Sequence, residues 1–441
     1  MRINTKKYIE EAHKRGISPV RFACSLSKSY SVSVFNGEVE EQHIGEVGGV
    51  GGKGLVDGKY GSFSADGIRE DSPSLLADKI LENAKYGKEG KTSDFYSGGK
   101  RYRKVAIDEK AFVPSTLQEL REAALALEKE VHAKDSRIKK CSVDLAFTKG
   151  ESMRFNDVGL KCSKKTFYYL CNISLVCEDE KGEPRTAGNT VYSFTTLADV
   201  LAKARKEIDK TIHQAVDFFG SGPVKGKDYK TVLSPDLVSC LLPYFLDQLD
   251  AKKVEKHLSL FEGKKGTQVM SSKITLLHTP HIPSLSSASY DSSGVPTEDF
   301  PIVKRGVLMN YAYSLESANE EKIEPNGCGA GNGYASFFTV TVKPGKESKE
   351  QLFAKVKDGI YLTSVSGLNT GIDSASLSFS LPCSGYLIKD GKKAEAFSMM
   401  IVSGNIKELF ENVVALGNDV EDEVSLFTPS MVVKKLHYSG K

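Results

Sequence analysis

Two dipeptides, Asn36-Gly37 and Asp57-Gly58, constrain this chain more than any other local feature. Each stands between alternating stretches, in VFNGEVEE and GLVDGKYGSFSA. Asn-Gly and Asp-Gly accept the positive φ that a two-residue hairpin turn needs at both central positions. They predict antiparallel pairing among strand-like runs at 19–27, 30–44 and 54–65. Helical spacing is expected over 3–15, 73–86, 115–133 and 196–217. The third is the best patterned, through Leu117, Leu120, Ala124, Leu127 and Val131. Residues 138–194 read as four successive strands.

A composition shift at GSGPVKGKD, within 220–228, marks a domain boundary. The expected N-terminal α+β domain covers 1–222: a helix-hairpin part over 1–87, a connector over 88–112 and a helix-strand part over 113–222. The C-terminal domain, 223–441, is expected to be β-rich and barrel-like. It opens with a short strand, YKTVL, and then a helix. The Pro/Ser-rich stretch 279–300 is expected to be a loop, and NGCGAGNG at 326–333 is too glycine-rich for a fixed element. Strands are expected near 301–314 and 334–343, a helix near 347–358 and a strand-rich tail. Hairpins dominate and no βαβ alternation runs through the chain. The fold class is therefore α+β, two-domain, with mainly antiparallel sheets and packed helices.

Several function classes are disfavoured. Lys+Arg 60 against Asp+Glu 57 leaves a net charge of +3, too little to argue for direct nucleic-acid binding. KRYRK at 100–104 is short and lies in the connector, so it reads as a solvated linker. No apolar run approaches the roughly 20 residues needed to cross a bilayer. The charged start MRINTKKYIEEAHKRG has no apolar signal region, which gives a cytoplasmic expectation. The eight cysteines form no CxxC pair and read as buried, reduced and inert. Gly49-Val50-Gly51-Gly52-Lys53-Gly54 matches GxGxxG, but a turn-and-strand sequence follows where a dinucleotide site needs a helix N-terminus. It reads as a glycine-rich strand. His278 and His281 stand three apart as a possible metal pair, with Pro280 between them and no third ligand at a telling distance.

The segment LSPDLVSCLLPYFLDQLD, 233–250, decides the chemistry. Ser234 can cap a helix, Pro235 suits its first position and Asp236 complements its positive end. Leu237, Val238, Leu241, Leu242, Phe245, Leu246 and Leu249 form an apolar stripe, which reads as core. The other face carries Ser239, Cys240, Pro243, Tyr244, Asp247 and Gln248, and no acid, base or metal trio. Pro243 cannot donate to Ser239, so a bend is expected there.

The C-terminal third resembles the TldD/PmbA family, also known as modulators of DNA gyrase. The resemblance is carried by Gly367, Asn369 and Gly371–Asp373, then SGYLIKDG, Gly404-Asn405, Gly417-Asn418-Asp419, Thr428-Pro429-Ser430 and a terminal Ser-Gly-Lys. Upstream, YDSSGVPTEDFPIVKRGVLMNYAYS is similar to the family's D-x-x-G-V-P-T stretch, and VFNGEVEE and GLVDGKYGSFSAD to its N-terminal domain.

In that family the TldD branch is a zinc metallopeptidase with HExxxH on a helix and a cysteine ligand near the C-terminus; the PmbA/TldE branch lacks both. The corresponding positions here fall near Pro243, Tyr244 and Gln248, and no histidine lies between His213 and His257. The last cysteine is Cys383, ahead of the Gly-Asn-Asp turn. The resemblance thus implies a PmbA/TldE-like, non-catalytic subunit of a zinc peptidase acting on unfolded or small polypeptides. It implies no cofactor or metal in this chain, with zinc in a TldD-like partner, and substrate contacts at Asn369, Asp373, Ser384, Asn405 and Asn418. The alternatives are a stand-alone homodimeric peptide-binding or scaffold protein, and an enzyme using His278 and His281 as metal ligands.

Overall fold

The computed structural model describes residues 2–440; Met1 and Lys441, the last residue of the terminal Ser-Gly-Lys, lie outside them. The chain divides into two units. One holds the chain up to Lys100 with Ile107–Phe219; the other holds Arg101–Ala106 with the chain from Gly220 onward.

The first unit is one six-stranded antiparallel sheet with helices on one face. Its elements are α1 (Thr5–His13), β1 (Val20–Phe35), β2 (Glu38–Val56), β3 (Lys59–Asp66), α2 (Ser72–Ala84), α3 (Leu117–His132), β4 (Ile138–Asn156), β5 (Lys161–Glu178), β6 (Pro184–Ser193) and α4 (Leu197–Val216). The strand order is β3-β2-β1-β4-β5-β6. The two expected turns are present: Asn36, Gly37, Asp57 and Gly58 all have positive φ.

Strand lengths differ from expectation. The runs at 19–27 and 30–44 are joined through Lys28 and Ser29, and the four strands expected over 138–194 are three. β1, β2, β4 and β5 have 16, 19, 19 and 18 residues, about three times a typical strand. Polar interruptions that would end a short strand are here carried on a face with no helix over it.

Alternation sets the two faces. Phe22, Cys24, Val50 and Phe155 point to α1 and α2, where Tyr8, Leu76 and Ile80 complete a buried cluster. Val143, Leu145, Tyr169 and Ile173 point to α3 and α4, against Leu120, Leu127, Val200 and Ile208. The opposite face carries Ala23 and Ser25, both exposed. Glycine is required where α2 presses on the sheet. A Cβ at Gly61 would stand 1.9 Å from the carbonyl oxygen of Ile80, and one at Gly52 2.7 Å from its Cδ1.

The second unit contains β7 (Lys227–Leu233), α5 (Pro235–Asp247), α6 (Ala251–Glu255), β8 (Leu276–His278), β9 (Phe300–Lys304), β10 (Val307–Leu308), α7 (Leu315–Glu321), β11 (Gly329–Gly331), β12 (Tyr334–Ala335) and β13 (Val340–Val342). After these come α8 (Lys349–Val356), β14 (Gly359–Val365), α9 (Leu368–Gly371), β15 (Ser378–Lys389), β16 (Lys392–Asn405), α10 (Ile406–Glu411), β17 (Val413–Leu416), β18 (Glu421–Glu423), β19 (Leu426–Thr428) and β20 (Met431–Ser439). One sheet runs β16-β15-β14-β7-β20-β17, and a further pairing of β16 with β20 closes five of these strands into a barrel. Only β7 with β14 is parallel in it. A second sheet runs β10-β9-β8-β13-β19-β18. The fold is α+β with mainly antiparallel sheets and a barrel-like C-terminal part. No helix among the described residues is long and apolar enough to cross a membrane.

Three expectations are corrected here. The glycine run 326–333 is ordered: β11 pairs with β12, and the Gly329 N–H donates to Asp291 Oδ2 at 2.9 Å. A Cβ at Gly329 would stand 2.7 Å from that oxygen, so the glycine lets the backbone approach the carboxylate. KRYRK is not simply a solvated linker. The Tyr102 hydroxyl donates to Gly294 O at 2.8 Å, Arg103 pairs with Asp299, and Ala106 N–H donates to His281 O at 2.9 Å. Seven cysteines are buried, but Cys240 is exposed.

The packing of α2 on β3 gives a test. Gly61→Ala should lower stability by about 2 kcal/mol or more, because backbone has to move. Gly51→Ala, whose Cβ meets nothing nearer than 3.6 Å, should be neutral or gain up to about 1 kcal/mol. Urea titrations followed by circular dichroism compare the two; equal midpoints would refute this account of the contact.

Candidate functional site

The site is built around α5. Its apolar side is core: Leu237, Val238, Leu241, Leu242 and Phe245 are buried with Phe261, Phe410 and Met431. The helix is capped by Ser234, whose Oγ accepts from Leu237 N–H at 3.2 Å, and continues through Pro243, which is exposed. At its start, Thr428 Oγ1 donates to Pro235 O at 2.9 Å and lies 2.7 Å from Ser239 Oγ.

Its C-terminal end is a clamp. The Tyr244 hydroxyl donates to Leu368 O at 3.3 Å. Gln248 is buried; its Nε2 donates to Ser374 O at 2.8 Å and its Oε1 accepts from Leu260 N–H at 3.0 Å. Of the positions where the family resemblance places zinc ligands, Tyr244 and Gln248 are therefore hydrogen-bonded to backbone groups, and Pro243 is exposed. Among the described residues no group of three or more His, Cys, Asp or Glu is placed to hold a metal ion.

Gln248 and Tyr244 hold the segment 367–378, on which two of the expected substrate residues lie. Asp373 is exposed. Its carboxylate accepts from Ala375 N–H at 2.9 Å and from Ser376 Oγ at 2.9 Å, and these bonds, that to Ala375 first, hold its pKa below the ordinary value. Asn405 caps α10 through Lys407 N–H and Glu408 N–H, while its Nδ2 donates to Ser376 O at 2.7 Å. Asp373 and Asn405 thus meet at Ser376. Asn369 lies beside them in the chain, on α9, with an exposed side chain. Ser384 sits half-buried opposite Ser364, at a register shift between β14 and β15.

Asn418 stands apart from this group. Its N–H donates to Glu347 O at 2.8 Å, and the neighbouring Asp419 carboxylate accepts from Ser430 Oγ at 2.7 Å. Ser430 follows Thr428, so this turn is tied to the start of α5 rather than to its end.

His278 and His281 go to different partners. His278 is fully buried against Phe300 and Phe337. Its Nε2 accepts from Phe338 N–H at 3.3 Å, and its Nδ1 stands 4.0 Å from Cys328 Sγ. His281 contacts Asp299 Oδ1 through Nδ1 at 2.9 Å and Thr297 Oγ1 through Nε2 at 3.2 Å.

The family-like stretch YDSSGVPT is explained by Asp291. It is buried and accepts from Ser293 N–H and Val295 N–H with Oδ1 while holding Gly329 with Oδ2. Sequence reasoning also passed over Asp250, whose Oδ1 accepts from Lys252 N–H at 3.0 Å and Ala335 N–H at 3.3 Å. Burial raises its pKa. Its place just before α6, as the N-cap, was a capping signal.

Residues 225–440 match the PmbA/TldA metallopeptidase C-terminal domain. Over its whole length the chain is similar to a metalloprotease PmbA homolog of Buchnera aphidicola: 21% identity, covering 99% of this chain and 97% of the relative. An uncharacterized protein of Methanocaldococcus jannaschii is 28% identical over 92% of this chain and 94% of its own length. The crystal structure of a modulator-of-DNA-gyrase protein from Thermotoga maritima superposes with a TM-score of 0.88 at 25% identity, covering 99% of both chains. The structure of TldE from Thermococcus kodakarensis shares the fold, with a TM-score of 0.83 at 16% identity over 99% of this chain and 100% of that one.

Two measurements test this geometry. Gln248→Ala removes a buried side chain that bonds Ser374 O and Leu260 N–H and should cost about 1–3 kcal/mol; an unchanged denaturation midpoint would remove the clamp. Burial holds the His278 pKa at about 4, against an ordinary 6.5. Between those values the unfolded chain binds a proton that the folded chain does not. Stability is thus complete above pH 6.5 and falls by roughly 3 kcal/mol as the pH drops to 4. His278→Phe should flatten that slope; parallel profiles would argue against it.

Proposed function

This chain belongs to the PmbA/TldD family, and from that premise we propose that it is a PmbA/TldE-like subunit which binds unfolded or small polypeptides and leaves hydrolysis to a zinc-bearing, TldD-like partner. The carrying observation is α5. A hydrolytic zinc site needs imidazoles on neighbouring turns and a carboxylate to take a proton from the bound water. This helix presents Pro243, Tyr244 and Gln248 there, and the latter two are hydrogen-bonded to the segment 367–378.

In this reading the clamp has a use. Tyr244, Gln248 and Asn405 fix the backbone of 367–378, and the exposed Asn369 is left to meet a ligand. Asp373 and Asn405 act as positioning residues, because their polar atoms cap local backbone. The two larger sheets of this unit end at β10, β17 and β18. Edge strands offer backbone groups to an extended chain with little demand on its sequence, which suits unfolded substrates.

The test is reconstitution. Purified with a TldD-like chain, this protein should raise digestion of unfolded casein at least tenfold over that chain alone. Asn369→Ala in the mixture should raise KM about three- to tenfold with kcat and stability unchanged, the effect expected of one lost polar contact. Digestion no faster than by the partner alone, or casein cleaved by this chain unaided, would overturn the proposal.

A further inference from the structure

The open face of the N-terminal sheet holds a trough of about 580 Å³. It crosses β3, β2, β1 and β4, and its lining includes Asp66, Gly49, Gly51, Ser25, Ser152 and Arg154. The registers fix the order across it. Asp66 stands opposite Gly49, Gly49 opposite Ser25, and Ser25 opposite Ser152; Arg154 lies two residues on from Ser152 on the same face. A carboxylate therefore marks one end and a guanidinium the other. Lys164, opposite Ser152 on β5, adds a second cation beyond the basic end. Burial, and then the nearby Arg154 charge, push its pKa down.

The floor is lower than packing demands. A Cβ on Gly49 would meet nothing nearer than 3.7 Å, and one on Gly51 nothing nearer than 3.6 Å. Neither glycine has a positive φ. By contrast, Gly52 and Gly54 face the helices, where a Cβ would stand 2.7 Å from Ile80 Cδ1 and 2.4 Å from Ile17 Cγ2. Glycine inside a strand weakens it, and where packing does not require it, close approach of a ligand backbone is the remaining physical use.

We propose that this trough binds a short zwitterionic peptide, its carboxylate at Arg154, its ammonium at Asp66 and its backbone laid across Gly49 and Gly51. The length follows from spacing. Three strand intervals of about 4.8 Å separate the Asp66 and Ser152 backbones, roughly 14 Å. An extended peptide covers about 3.3–3.6 Å per residue, so three or four residues fill the span. The inference stands on the sheet's own geometry, and it holds whether or not a zinc-bearing partner exists.

Isothermal titration of the full chain with tetra-alanine tests it. Tetra-alanine with free termini should bind in the millimolar range or tighter. Gly51→Val fills the floor with a residue suited to a strand and should weaken binding at least tenfold. Arg154→Gln should weaken it about tenfold, and a C-terminal amide on the peptide should weaken wild-type binding equally. The amide should then add no further loss in Arg154→Gln. Acetylating the peptide's amine should mimic Asp66→Asn in the same way. No heat of binding at millimolar peptide, or unchanged affinity in both Gly51→Val and Arg154→Gln, would overturn the proposal. Because no partner chain is present, failure of the casein reconstitution would leave this result untouched.

Discussion

The pairing of β16 with β20 holds the C-terminal unit together. Ile401, Val402 and Ser403 meet Ser439, Tyr438 and His437, and a curled sheet thereby becomes a closed barrel. Closure removes the edges that these two long strands would otherwise expose. Tyr438 lies at the seam, fully buried, with its hydroxyl 3.1 Å from Thr231 Oγ1 on β7. Burial pushes its pKa well above the ordinary value, so it stays a neutral partner. The barrel fixes the end of β16, and from that end Asn405 reaches Ser376.

The second constraint is the polar side of α5. Tyr244 and Gln248 direct their polar groups to the main chain of 367–378 and 260. The C-terminal end of this helix is a tie to that segment. The same economy recurs in the buried Pro/Ser-rich loop. Ser284 meets Thr339, Thr297 donates to Ala288 O, and Asp291 satisfies three amides. Polar side chains take the place of the ladder that an irregular buried segment lacks.

The N-terminal unit separates structure from binding by strand parity. One parity of β1, β2 and β4 faces helices and carries Phe22, Val50 and Phe155. The other carries small polar residues and glycines over an open trough with opposite charges at its ends. Glycines at neighbouring positions of β2 therefore have different causes. Gly52 yields to Ile80, whereas Gly51 yields to nothing in the fold.

Much of this was legible in the chain. Asn36-Gly37 and Asp57-Gly58 specified two hairpins because few residues tolerate positive φ at both turn positions. The periodic stripe 237–249 specified a buried helix, and the absence of histidine between 213 and 257 was plain at sight. Strand lengths were not legible, since polar residues on an open sheet face look like loop. Nor was the order in 326–333, where an aspartate 38 residues away supplies the acceptor. Of the residues expected to touch substrate, the sequence named the positions but not their grouping. Asp373 and Asn405 meet through Ser376, while Asn418 is tied to the far end of α5. Local turn chemistry and side-chain period act over a few residues, and sequence carries them whole. Which distant polar groups satisfy one another is settled only when the barrel closes, because burial then makes every unpaired group costly.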